Sequence, residues 1–333
     1  MEFDKLEGRK KRMQRDKSLD IAKGIAILLM IYGHFRYTVT NMDTLYGWIY
    51  SFHMPVFILI SGWLTVVKTE GKRDQLIKKI KKILFPYIIW NIIGFLVNHI
   101  FGLTEESVSE LIHGIVVGDN LISNLPTWYL LSYFWIALFA IYILPFLDSV
   151  KKLVAADLIS VIPVFLVAYV PDLQDYFRLK GALVLLPFFI TGYLLQKIRF
   201  QLPWWMIVPL FYIGYLLERI NAVRSWRSVT VGNGDIGVPY LYLLSALCTS
   251  VALLTLCRYL ARIPFMDIIG VFGRNTRMIL CTHWIIGSVI GIWVAHSPRL
   301  FRYVFFAECI LVGGHELLDH IRLKGKRNER KEA

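Results

Sequence analysis

The chain alternates long apolar runs with short polar joints, and the run lengths are those of membrane helices. The apolar stretches 19–40, 46–67, 83–102, 126–147, 154–171, 181–197, 203–218, 238–257, 276–296 and 300–318 predict ten spans. About 20 apolar residues at 1.5 Å rise cross the hydrocarbon of a bilayer, so most runs suffice, with 154–171 and 203–218 the shortest. The predicted fold class is therefore all-α, a polytopic integral membrane protein. The spans consume nearly the whole chain. The expected division is a basic cytoplasmic arm at 1–18, a membrane domain at 19–320 and a charged cytoplasmic tail at 321–333. The basic start runs into a stretch long enough to span, so no cleavable signal peptide is expected.

Composition agrees with that pattern: 56% of residues are hydrophobic and only 18% charged, a balance typical of membrane chains. The distribution of cations sets the orientation. With the N-terminus inside, 29 of the 37 Lys and Arg residues fall in cytoplasmic segments and 8 outside, which by the positive-inside rule puts both termini in the cytosol. The loop 103–125 has no Lys or Arg but holds Glu105, Glu106, Glu110 and Asp119. The net charge of +13 thus reads as topology and attraction to anionic membrane lipids, in a cell or inner membrane. No nucleic-acid-binding motif is present, and no nucleic-acid partner is expected. Cys248, Cys257, Cys281 and Cys309 lie in or at the ends of spans without metal-type spacing, and read as buried hydrophobes.

The candidate chemistry lies inside the spans. Lys23 and His34 are eleven residues apart; at 100° per residue they share one helix face, about 16 Å apart along the axis. Ionisable groups at membrane depth are costly and mark sites or pathways. His53 in the second span lies about as far below the outer surface as His34 does in the first, so two imidazoles at matched depth are expected on neighbouring helices. Asp20, three residues before Lys23, is placed for an ion pair. Pro55 removes a backbone donor beside His53 and favours a kink. Ser61 is about 12 Å from His53 along the helix, which argues against a Ser–His dyad; Ser61-Gly62 reads instead as a close-packing position.

Further candidates flank these. Lys72-Arg73 and Lys78-Lys79-Ile80-Lys81-Lys82 form a basic surface suited to anionic lipid or to a phosphate-rich cytosolic ligand. Gly273-Arg274-Asn275-Thr276-Arg277 supplies a second cluster, and His283 lies about 11 Å into the span it opens. Trp128 and Tyr129 begin span 4 in aromatic-belt positions. Glu308 and His315 fall near one face of the last span. There is no Walker loop, dinucleotide fingerprint, His-Glu-x-x-His zinc motif or Gly-x-Ser-x-Gly elbow, and no metal is expected.

These pieces, in this order, resemble the acyltransferase 3 family of integral membrane acyltransferases, especially its fucose 4-O-acetylase-like branch. The residues that carry the likeness are Leu19-Asp20-Ile21-Ala22-Lys23-Gly24 with Gly33-His34, and Phe52-His53-Met54-Pro55 with Ile60-Ser61-Gly62-Trp63-Leu64. With them go the Lys78-to-Lys82 run before Pro86-Tyr87, Trp128-Tyr129-Leu130, Gly192-Tyr193, and Gly273-Arg274-Asn275-Thr276 leading to His283. The resemblance implies about ten spans and transfer of an acyl group, usually acetyl, from cytosolic acetyl-CoA to a hydroxyl of a cell-surface or lipid-linked carbohydrate. It makes His34 the catalytic histidine and Lys23 its basic partner, with His53 and Asp20 as further catalytic candidates. The family's basic pair in the third helix maps to Lys79-x-x-Lys82 or Lys78-x-x-Lys81, with lysine point charges in place of an arginine fork. Lys78, Lys79, Lys81, Lys82 and Arg274 are then the acyl-CoA-binding candidates, and Ser61, Trp128, Tyr129, Asn275 and His283 the site-lining ones. A transporter or flippase for glycans is the leading alternative; it would favour inverted repeats, and none is found.

Overall fold

In hydrocarbon a backbone must satisfy its own hydrogen bonds, so the apolar runs have one way to fold, as helices. The computed structural model describes residues 16–35, 44–68, 71–118, 122–170, 173–225, 229–294, 297 and 299–332. The N-terminal arm up to Arg15, Asp119, and the joints carrying Arg36 and Arg227 lie outside the described residues.

Twelve helices follow one another: α1 (Lys17–Phe35), α2 (Thr44–Trp63), α3 (Lys72–Ile100), α4 (Val108–Val117), α5 (Trp128–Tyr142), α6 (Val150–Tyr169), α7 (Leu179–Lys197), α8 (Ile207–Ser225), α9 (Pro239–Leu260), α10 (Asp267–Arg274), α11 (Thr276–Val294) and α12 (Leu300–Glu332). Among the described residues there is no strand beyond an isolated bridge between Thr230 and Asp235. Among the described residues, nine helices are long and apolar enough to cross a membrane.

Three elements differ from the sequence reading. α3 begins at Lys72 instead of 83 and contains a π-helical turn, Ile80–Leu84. α4 forms inside the expected 103–125 loop; Ser107 and Glu110 close a reciprocal capping box at its start and Gly118 ends it at φ 81°, the chemistry of a helix stop and start in ten residues. The tenth expected span starts at Leu300 but runs on to Glu332, and Arg302, Glu308 and Glu316 separate it from the nine more apolar helices.

α1 and α2 form the centre: 67% of each span is buried, against 22% for α6 and 17% for α8, which face outward. Two apolar clusters flank α1. Leu19, Ile21, Ala22 and Ala26 pack with α2, α7 and α9; Ile27, Met30, Ile31 and Phe35 pack with α3, α5, α11 and α12. Glycine pairs set the helix contacts. A Cβ at Gly62 would overlap the Phe189 carbonyl and one at Gly192 the Leu59 carbonyl, so α2 and α7 touch backbone to backbone. Gly24 and Gly273 do the same for α1 and α10. Without a hydrophobic force between helices in lipid, this close approach supplies the packing energy.

Candidate active site

Phe57, Trp128, Tyr129 and Tyr133 pack against both apolar clusters, so they stand on the seam between them. Two cavities open along that seam. One, of about 540 Å³, is walled by Lys23 and Ile27 of α1, the second half of α2, the start of α3, both ends of α5 and the start of α11. The other, of about 340 Å³, is walled by Gly33 and His34 at the opposite end of α1, the first turns of α2, Pro126 and Trp128, Arg178, the 230–233 turn, and Trp284. α1, α2, α5 and α11 contribute to both walls, and α3 only to the larger cavity. Met54 and Leu280 line both, a septum two side chains thick.

The larger cavity is basic. Lys23, Lys68, Lys78, Lys79, Lys82 and Arg277 line it, and among the described residues no carboxylate does, so the wall concentrates positive potential in a low-dielectric cleft. Asp20 is buried behind Lys23 with a 2.8 Å ion pair; it fixes the ammonium and does not itself line either cavity. Lys79 lies over the Tyr133 ring at 5.5 Å, Tyr129 and Tyr133 are parallel with centres 6.0 Å apart, and the Ser61 and Tyr133 hydroxyls are hydrogen-bonded at 2.9 Å. Arg277 donates to the Lys82 carbonyl across 3.3 Å, tying α11 to the π-helical turn. Such turns recur at functional sites because they redirect side chains. Of the expected run, Lys78, Lys79 and Lys82 line this wall and Lys81 does not. Arg274 and Asn275 do not line it either. Arg274 pairs with Glu316 at 3.5 Å and Asn275 donates to the same carboxylate at 2.7 Å, so they clamp α12 to α11; Thr276 and Arg277 line the cavity in their place.

The smaller cavity holds the imidazoles. His34 Nδ1 is hydrogen-bonded to the Tyr50 hydroxyl at 3.1 Å, and the Tyr50 ring lies 5.0 Å from that of His53. Tyr50 therefore stands between two histidines that line one wall, as their matched depth implied. His53 Nδ1 donates to the Ile49 carbonyl at 2.8 Å. A carbonyl only accepts, so in the neutral ring the lone pair is on Nε2. His283 is corrected from a lining residue to one behind the wall: it is fully buried, its ring 5.3 Å from that of His34. Its Nδ1 donates to the Ile279 carbonyl at 2.7 Å, and its Nε2 has no hydrogen-bond partner among the described residues. Trp284 completes the cage, edge-on to His34 at 5.6 Å. Trp128 and Tyr129, adjacent in sequence, face different cavities.

The family profile described as an acyltransferase domain, acyltransferase 3, matches residues 16–313. The chain belongs to the acyltransferase 3 family. Two nodulation proteins NolL are similar over a shorter stretch. That of Sinorhizobium fredii (strain NBRC 101917 / NGR234) is 35% identical over 86 residues, 23% of this chain and 23% of that protein. That of Mesorhizobium japonicum (strain LMG 29417 / CECT 9101 / MAFF 303099) is 34% identical over 85 residues, again 23% of each. The chain thus spans about a quarter of the length of these curated relatives in the matched region. No solved structure matches.

The fold positions residues that linear reading passed over. Tyr50 was visible only as a polar aromatic three residues before His53. Arg178 carried no signal beyond being a cation in an outer segment, and Trp284 none beyond its neighbour His283. Glu308, buried, accepts from the Thr282 hydroxyl at 2.7 Å, so its carboxyl braces α11 directly beside His283. His315 lies 4.0 Å from Asp319 on the same helix.

Proposed function

We propose that the protein moves an acyl group, usually acetyl, from acyl-CoA in the basic cavity to a hydroxyl of a cell-surface or lipid-linked carbohydrate in the histidine cavity. One observation supports this above the rest: a cavity lined by six cations and a cavity lined by His34 and His53, both walled by α1, α2 and α11, meet at Met54 and Leu280. Both fall within the size range of ligand sites. Coenzyme A cannot cross a bilayer, so a thioester offered to an acceptor on the far side must be presented through the protein.

In this reading α12 is the tenth crossing and the cation bias puts both termini and the basic cavity in the cytosol. Lys78, Lys79, Lys82 and Arg277 hold the phosphates, Lys23 is the innermost cation, and the pantetheine arm points at the septum. The imidazole of His34 takes the proton of the acceptor hydroxyl as its oxygen attacks the thioester carbonyl. The tetrahedral intermediate collapses with cleavage of the C–S bond, and the thiolate leaves with the proton returned by the imidazolium. Tyr50 orients His34, and His53, whose Nδ1 proton is held by the Ile49 carbonyl, offers its Nε2 lone pair as a second proton acceptor beside it. The membrane is a cell or inner membrane.

The test is purified protein given acetyl-CoA labelled in the acetyl group. Label transferred to a carbohydrate or released by hydrolysis, and lost in His34→Ala, supports the reading. Vesicle transport of a glycan without consumption of acetyl-CoA would replace it with a transporter.

A further inference from the structure

The wall of the histidine cavity holds a single Lys or Arg among the described residues, Arg178. The residue is 91% buried by its 9% exposure. Its backbone is fixed in an unusual shape: Phe177 and Arg178 both have φ 54°, a region rarely used by residues other than glycine. Side chains of α5 clamp that turn, Ser132 donating to the Arg178 carbonyl at 2.8 Å and Trp135 to the Phe177 carbonyl at 3.0 Å.

The guanidinium is under-used. One nitrogen donates to Asn233 Oδ1 at 3.3 Å, while Nε is buried without a hydrogen-bond partner among the described residues. Asp175 forms an ion pair with the guanidinium at 3.8 Å, which balances charge but is beyond hydrogen-bond length and so satisfies none of its donors; the other Asp175 oxygen accepts from the Lys180 backbone at 2.9 Å. A guanidinium carries five donors in a planar fork that matches carboxylates and phosphates. Leaving such donors empty in a buried place is costly, and a cavity wall is where a ligand satisfies them. The basic cavity already offers six cations for the donor, so this separate cation serves the other substrate.

We infer that the acceptor carries an anionic group, a carboxylate or a phosphate, close to the hydroxyl that is acylated, and that Arg178 holds it. The inference rests on the acyl-transfer reading for the meaning of acceptor, but its binding step stands by itself. The anion has two sources, the carboxylate of an acidic sugar or the phosphate that links a sugar to lipid. Asn233, already bonded to the guanidinium, sets the fork's direction.

The experiment measures direct binding to the full chain in lipid nanodiscs, with no turnover required. Three probes are compared: an oligosaccharide ending in a uronic acid, its twin with the carboxyl reduced to an alcohol, and a sugar linked to polyprenyl phosphate. At least one anionic probe binds tenfold or more tightly than the reduced twin; preference for the uronate assigns the acidic sugar, and preference for the lipid-linked probe assigns the linking phosphate. Equal binding of all three overturns the inference without needing any variant. Arg178→Gln removes the preference and leaves acetyl-CoA binding unchanged, and Arg178→Lys restores part of it. If Arg178→Gln weakens anionic and neutral probes alike, Arg178 only braces the 230–233 turn and the proposal fails. A wild-type chain that discriminates between the probes yet never consumes acetyl-CoA would sink the acyl-transfer reading while sparing the anion site.

Discussion

The imidazole of His283 stands directly behind that of His34, ring centres 5.3 Å apart and planes inclined by 40°. His34 faces the cavity and His283 does not. His34→Ala should therefore lower acetyl transfer by about 10² to 10⁴, the usual worth of a general base. Removing the Tyr50 hydroxyl in Tyr50→Phe costs His34 one neutral hydrogen bond, roughly 1 kcal/mol or about a fivefold loss in kcat. His283→Ala should fall between. Equal losses in all three variants would mean that a collapsed site, not these roles, explains the effect, so each needs a folding check by size-exclusion profile.

The basic run separates into inward and outward lysines. Lys79→Gln with Lys82→Gln should raise the KM for acetyl-CoA by tenfold or more with the acceptor KM unchanged. Lys81→Gln, whose side chain is exposed away from the wall, should leave both constants alone. Should Lys81 matter as much as Lys79, the run acts by attracting anionic lipid and not by holding the donor.

Met54 is a nearly buried side chain shared by both cavities. Methionine has three rotatable bonds and reshapes readily, which suits a septum that a thin thioester arm must pass. Met54→Trp should cut acyl transfer more than tenfold while acetyl-CoA still binds. Met54→Ala should raise hydrolysis of acetyl-CoA relative to transfer, because water gains the same route. Full transfer by Met54→Trp would show that the acyl group travels elsewhere.

The orientation is open to labelling in intact cells. A membrane-impermeant thiol reagent should label a cysteine at Ser107, exposed at the start of α4, and not one at Gly71 before α3. The reverse result would remove the basic cavity from the coenzyme A pool.

Packing gives a stability prediction. Gly192→Ala forces a methyl against the Leu59 carbonyl, so α2 and α7 must separate or shift. Overpacking of this kind costs on the order of 1–3 kcal/mol, to be read as a lowered melting temperature in detergent. An unchanged value would show that the two helices are not held at this contact.

The sequence by itself determined what depends on position along one helix. Run length predicted ten spans, nine of which are membrane-length apolar helices among the described residues, and the eleven-residue step set Lys23 and His34 about 16 Å apart along α1. Depth counted from the helix ends brought His34 and His53 into one cavity, and Ser61-Gly62 was legible as a contact because small residues have one main use between membrane helices. What only the tertiary structure decided depends on which faces of different helices meet. Glycine contacts at Gly24, Gly62, Gly192 and Gly273 fix that register, and no one-dimensional period encodes it. Lys81 and Lys82 both sit in the π-helical turn Ile80–Leu84, and only the packing of that turn against α11 and α5 decides that Lys82 lines the cavity and Lys81 does not. Arg178 reaches the cavity only because a left-handed turn, clamped by Ser132 and Trp135 from another helix, aims it there.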